Sequence, residues 1–290
     1  MPDAPAPPPD YTAVQVGRVL AVARKPDLTL AIALAEQAGQ PRQWYGLGRR
    51  MPGPLRLFVV RGGGGVDGIL HGREPAWGAG FALPGARTVV VRADAGSVEQ
   101  VLRHELAHLA LHEAVKVRVP LWFDEGYAAV ASGEWDRFEA LRLNLTVARG
   151  TVPDFFELDR ALRSTESDAE AAYALAASAV TMLARRNPEQ SLKPLLVRLE
   201  AGEGFDAAVL ATTGSPLGRF ELEWQKDVRR RYGILVWVMA GGLWALASLT
   251  LLLGVWLRRR RDRPRRAALD VGWTIEEEKE EEEPPPSPPE

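Results

Sequence analysis

The sequence contains no cysteine, which removes disulfide frameworks, thiolate metal sites and cysteine nucleophiles and leaves the redox compartment undecided. Histidine is scarce, with 4 in the chain, so any metal must be held by those few imidazoles together with Asp and Glu. An excess of one charge is also missing. The 36 Lys and Arg stand against 38 Asp and Glu, which gives no electrostatic footprint for nucleic acid. The N-terminus lacks the basic start, apolar run and small-residue cleavage site of a signal peptide, so none is expected in the sequence as written; Leu28 to Ala35, the nearest apolar stretch, is short and set too far inside. Four consecutive glycines, Gly62 to Gly65, are not followed by the Lys-Ser or Lys-Thr and the helix that a phosphate cradle requires, and they read as a flexible hairpin loop instead.

At 290 residues the chain has room for one sizeable domain with appendages. Residues 1–10, mostly Pro, Ala and Asp, cannot bury enough apolar surface to offset their ordering entropy and are predicted to be a disordered leader. Residues 11–232 are predicted to form the globular domain. Its β-branched runs Leu55 to Val60 and Thr88 to Arg92 read as strands, and after Ala95 the periodicity becomes helical. The expected class is α+β, a small N-terminal sheet followed by a helical C-terminal half.

An uncharged run from Ile234 to Leu257 carries Trp237, Trp244 and Trp256. It is long enough to cross a hydrocarbon core of ~30 Å at ~1.5 Å per residue, and residues 234–257 are predicted to be a transmembrane helix. Arg258 to Arg261, Arg263, Arg265 and Arg266 follow it directly, against Lys226 and Arg229 to Arg231 on the other side. The positive-inside rule then places the C-terminal tail in the cytoplasm and the globular domain outside, in a single-pass protein of the cell membrane. That topology calls for an export signal upstream, so the two readings disagree, and the charges carry more weight. Residues 258–290, basic and then acidic and proline-rich from Glu276, are predicted to be a disordered tail.

The chemistry concentrates at His104-Glu105-Leu106-Ala107-His108. Ser97 and Gln100 precede it in capping-box spacing, which places the pentad a turn or two inside a helix. Residues four apart share one helical face, so both imidazoles can reach a single zinc ion at ~2.0–2.1 Å while Leu102, Leu106 and Leu109 turn toward the core. Glu105 sits ~100° around the helix, beside the metal, where it can take a proton from water activated by the ion and pass it to the leaving amine. Three of the four histidines fall between positions 104 and 112, which weakens a chance origin for the pattern. His112 lies two turns from His104 and has rotated off the metal-facing line. It reads as an ordinary helix residue, with support of a ligand as its alternative role.

A hydrolytic zinc site needs a third protein ligand and an open position. Leu121-Trp122-Phe123-Asp124-Glu125-Gly126-Tyr127-Ala128 offers one, because a helix ending near Pro120 and another beginning there would return a carboxylate to the first. Glu125 and Asp124 compete for it on spacing, a plain carboxylate at a helix N-terminus is the bland reading of either, and Gly126 would allow close backbone approach. The pentad followed by Trp122 to Ala128 resembles the gluzincin peptidases, including the zinc aminopeptidases and the peptidase MA-like domains. The resemblance implies a zincin-like fold, a zinc metallopeptidase acting on peptides or proteins, His104, His108 and Glu125 as ligands, and Glu105 as general base. It also implies that Tyr173, which opens a predicted helix running to Leu183 with Ser167 and Glu170 in capping-box spacing before it, donates its hydroxyl to the oxyanion; a half-buried surface tyrosine is the alternative. Trp77 to Phe81 could belong to a strand edge that pairs with an extended substrate. No acid stands beside Gly78-Ala79-Gly80 where the aminopeptidases bind a free amine, so endopeptidase specificity is equally open. Two other classes remain: an inactive anchored metal-binding module, against which Glu105 speaks because a structural site has no use for a base, and a hydrolase of a non-peptide substrate. Nothing in the pattern sets an oligomeric state.

Overall fold

Alternation at period two builds the N-terminal sheet. The computed structural model describes residues 9–62, 78–133, 152–237 and 243–270. Strands β1 (Thr12–Val16) and β2 (Val19–Ala23) pair antiparallel through a tight turn whose first residue, Gly17, sits at φ 55°, in the left-handed region that glycine enters freely. Helix α1 (Leu28–Ala38) follows, then a small antiparallel pair of β3 (Arg42–Trp44) and β4 (Gly48–Arg50). Strands β5 (Leu55–Val60), β6 (Gly80–Leu83) and β7 (Thr88–Arg92) complete a five-stranded sheet in the order β1-β2-β5-β7-β6. Val19, Ala21, Leu57, Val59, Val89 and Val91 enter the main core, whereas the intervening Val22, Phe58, Val60 and Val90 form a second apolar cluster on the opposite face.

Both predicted strands have the expected bounds, but β5 and β7 run parallel, which corrects the expected hairpin. Parallel neighbours need a crossover. Of the glycine run, Gly63 to Gly65 lie outside the described residues. The chain comes back through β6, which pairs antiparallel with β7 and forms one edge of the sheet.

Among the described residues the helical half has α2 (Val98–Ala114), α3 (Leu121–Ser132), α4 (Phe155–Ala161), α5 (Glu166–Arg186), α6 (Lys193–Glu200), α7 (Phe205–Thr213) and α8 (Leu217–Trp237). Helix α3 is held by aromatic packing. Trp122 stacks on Phe155 at 4.1 Å between ring centroids, Phe155 stacks in turn on Trp224, and Phe205 meets both Trp122 and Phe123 edge-on. The first-turn Trp122 N–H, which has no intrahelical acceptor, donates to Asp159 on α4 at 2.7 Å. On the next face Gly126 presses against α5, where an added Cβ would lie 2.5 Å from the Ala176 carbonyl oxygen and 2.8 Å from Val180. A carbonyl on a helix cannot swing aside as a side-chain tip can. Gly126→Ala is therefore expected to cost about 1–3 kcal/mol as overpacking, read as a lower Tm in thermal denaturation; an unchanged Tm would refute this account of the contact.

Two compact units divide after Val236. The second contains helix α9 (Leu243–Asp270), whose apolar part from Leu243 to Leu257 exposes Trp244, Leu249, Leu251 and Leu252. The predicted span 234–257 falls partly on α8 and partly on α9, and residues 238–242 lie outside the described residues. Among the described residues no helix is long and apolar enough to cross a membrane, so the expected continuous span is not found there. Helix α9 continues through Arg258 to Asp270, into the first part of the segment expected to be a disordered tail. Arginine, leucine and alanine are strong helix formers, and Arg258 faces Asp262 one turn on. Residues 271–290 and most of the expected leader, residues 1–8, lie outside the described residues.

Candidate metal centre

Helix α2 begins where the sequence places it, with Ser97 as N-cap, but the Ser97 side chain makes no capping bond. Its backbone carbonyl does the work instead, accepting from the N–H groups of Gln100 at 3.1 Å and Val101 at 3.0 Å. Leu102, Leu106, Ala107 and Leu111 are buried, and this apolar side fixes the rotation of α2 so that His104 and His108 look toward α3 and α5. Pro120 starts α3, whose first two turns return Asp124 and Glu125 to that face.

Three ligand atoms converge there. His104 Nε2 lies 3.2 Å from His108 Nε2, and Glu125 Oε2 lies 3.5 Å from the first and 3.3 Å from the second. Ligands at ~2.0–2.1 Å around a tetrahedral ion stand about 3.4 Å apart, so all three separations match the edges of a tetrahedron and leave its fourth corner for water or substrate. His104, His108 and Glu125 together could hold a metal ion.

Asp124 has a different place. Its Oδ1 lies 2.7 Å from His108 Nδ1 and its Oδ2 lies 2.6 Å from His112 Nε2. Each ring nitrogen donates to the carboxylate when it carries its proton, which leaves the His108 Nε2 lone pair turned to the metal position. With both oxygens so engaged, Asp124 buttresses His108, and Glu125 supplies the carboxylate of the cluster. His112, read as ordinary from the sequence, is the third member of this buttress. Its signal was available in the repeat of the four-residue spacing, His104, His108, His112, but the partner on another helix was not.

Burial disfavours the His108 imidazolium, yet Asp124 and Glu125 outweigh it and raise its pKa well above the ordinary histidine value. Burial likewise works against the two carboxylates, and the imidazoles prevail: His108 chiefly, with His104, brings Glu125 down to about 2, and His108 and His112 hold Asp124 well below the usual carboxylate range. A raised histidine pKa stabilises the metal-free fold fully below the ordinary value, and the contribution is lost as pH rises through the raised one. Metal binding has the opposite sign because the ion needs the neutral ring. The metal-free protein is thus expected to lose Tm from pH 6 to pH 9 through this cluster, while the Tm gain on adding zinc grows over the same interval. Differential scanning fluorimetry with zinc and with chelator reads both, and a zinc-induced gain that shrinks with rising pH would contradict the arrangement.

Glu105 is buried beside the cluster. Strand β6 closes over it so tightly that a Cβ on Gly80 would lie 2.9 Å from Glu105 Oε1 and 2.4 Å from Val101, so glycine at this position lets the sheet edge meet the metal helix. Tyr173 lies two turns inside α5, with its ring edge-on to His104 at 6.2 Å between centroids. The expected capping box at Ser167 and Glu170 is corrected: α5 starts at Glu166 with Thr165 as N-cap, and the Thr165 hydroxyl donates to Asp168 at 3.0 Å. Structure thus brings His104, Glu105, His108, Glu125 and Tyr173 to one place, and adds Asp124, His112 and Gly80.

Two imidazoles one turn apart, a carboxylate from the next helix and a glutamate beside them, next to the edge of a mixed sheet, make an α+β domain with a group that could hold a metal ion. A family profile described as the peptidase MA superfamily matches residues 45–230, and the chain belongs to that superfamily. No match was found among curated proteins.

Proposed function

We propose that this protein is a membrane-anchored zinc metallopeptidase that hydrolyses peptide bonds. The observation that carries the reading is the tetrahedral spacing of His104 Nε2, His108 Nε2 and Glu125 Oε2 with buried Glu105 beside them. Zinc held there would polarise the scissile carbonyl and lower the pKa of water. Glu105 takes the proton from the attacking water and delivers it to the leaving amine. Tyr173 donates its hydroxyl to the carbonyl oxygen as negative charge develops on it, a contact worth most near the transition state. An extended peptide lies along β6, the edge of the sheet among the described residues, and Gly80 keeps that backbone close to Glu105.

The anchor rests on the uncharged run 234–257 and the arginines after it. In this reading the peptidase domain is extracytoplasmic and the tail cytoplasmic. Two measurements on the full chain test these readings. Zinc content with cleavage of a peptide library, abolished by chelator and restored by zinc, supports the peptidase; one equivalent of zinc with cleavage of esters only would transfer the site to another hydrolase. Carbonate-resistant membrane association supports the anchor, and release by carbonate removes it.

A further inference from the structure

Behind α2 lies a cavity of about 520 Å³ that none of the three ligand residues lines. Leu106, Ala110 and Glu113 line it, and at 100° per residue they project roughly half a turn around α2 from His104, so most of this wall faces away from the ligand atoms; His112 also lines the cavity and is the residue it shares with the Asp124 buttress. The opposite wall comes from β3, β4 and the segment leading into β5. Its volume falls in the range of small-molecule sites, ~300–1,000 Å³.

The floor is apolar: Trp44, Leu55, Leu106, Ala110 and Val115 are buried and line the cavity. Among the described residues the lining also includes Arg42, Arg50, Arg87, Lys116 and Arg118, against one carboxylate, Glu113. Glu113 is engaged by Arg87 at 3.1 Å, and Arg50 is engaged by Glu200 at 2.5 Å. Among the described residues no carboxylate pairs with Arg42, Lys116 or Arg118. Arg42 lies over the Trp44 ring at 5.7 Å from its centroid, and Lys116 donates to the His112 carbonyl at 3.3 Å. Partial burial, and Arg103 nearby, disfavour the Arg42 charge, so an anion would relieve a cost already present at this wall.

We propose that this cavity binds a small amphipathic carboxylate, its apolar chain on the Trp44, Leu106 and Ala110 floor and its carboxylate among Arg42, Lys116 and Arg118. Charge complementarity selects an anion over a cation or a neutral lipid. The apolar floor excludes sugar phosphates, whose hydroxyls would be left without partners. The site stands whether or not the metal centre cleaves peptides.

The test is photo-crosslinking of the full chain in phosphatidylcholine nanodiscs with a diazirine-bearing decanoate, and with the matching decylamine as charge control. Adducts are mapped by peptide mass spectrometry. The expected result is carboxylate-dependent labelling of the peptides holding Trp44 to Leu55 and Leu106 to Val119, competed by decanoate, and at least tenfold weaker in Lys116→Glu/Arg118→Glu. Both residues are exposed, so the fold should tolerate reversal; Arg42→Gln is the second variant, expected to weaken labelling severalfold with an unchanged Tm. Equal labelling by the amine, absence of adducts in these peptides, or full labelling of both variants would overturn the proposal.

Discussion

Glu105→Gln is expected to lower kcat/KM for peptide cleavage by about 10²–10⁴-fold, the usual contribution of a positioned general base, and to leave the zinc stoichiometry unchanged. Glutamine keeps the length and shape of the side chain that β6 covers at Gly80, so the packing of the sheet edge on α2 survives. What it loses is the ability to accept a proton. The three ligand atoms come from His104, His108 and Glu125, so the ion does not depend on Glu105. Steady-state kinetics on one peptide with metal analysis of the same preparation reads both quantities. A loss of activity under tenfold would remove Glu105 from the role of base, and a loss of zinc would make it part of the metal's coordination.

Asp124→Ala should weaken zinc binding by about 10–100-fold, the range typical of groups that orient a metal's ligands. It strips the acceptor from His108 Nδ1 and from His112 Nε2 together, so the His108 ring is free to rotate and its Nε2 is no longer aimed at the tetrahedral position. Two part-buried polar contacts also vanish, so the metal-free protein loses stability as well. Because His112 acts only through Asp124, His112→Ala should weaken zinc binding in the parent and add little in the Asp124→Ala background. Competition with a chromophoric chelator measures all four proteins of this cycle. Additive losses would mean that His112 has a separate role.

The parts that could be read in advance depend on neighbours in the chain. The four-residue spacing of His104 and His108 puts two imidazoles on one face of any helix, whatever surrounds it. Alternation and β-branching mark Leu55 to Val60 and Thr88 to Arg92 as strands, and both appear with those bounds. Helix starts were legible to within a residue or two, at Ser97 and near Thr165, but the bonds that cap them were not. Capping bonds turn on side-chain torsions that a spacing does not specify.

Sequence by itself therefore determined the chemistry available here: three imidazoles and Glu105 on one helix, an Asp-Glu pair on the next, and no thiol to compete for a metal. Tertiary packing decided how it is used. Asp124 and Glu125 are adjacent on α3, and only the rotation imposed by Trp122, Phe123 and the close seat of Gly126 on α5 turns Glu125 to the ligand cluster and Asp124 to the far nitrogen of His108. The parallel pairing of β5 with β7, which leaves β6 at the edge over Glu105, is likewise a choice among pairings that the strands' own residues leave open. Local periodicity acts through contacts one turn or two residues away. The site is built from contacts between segments remote in the chain, and those are selected by what the whole core can bury at once.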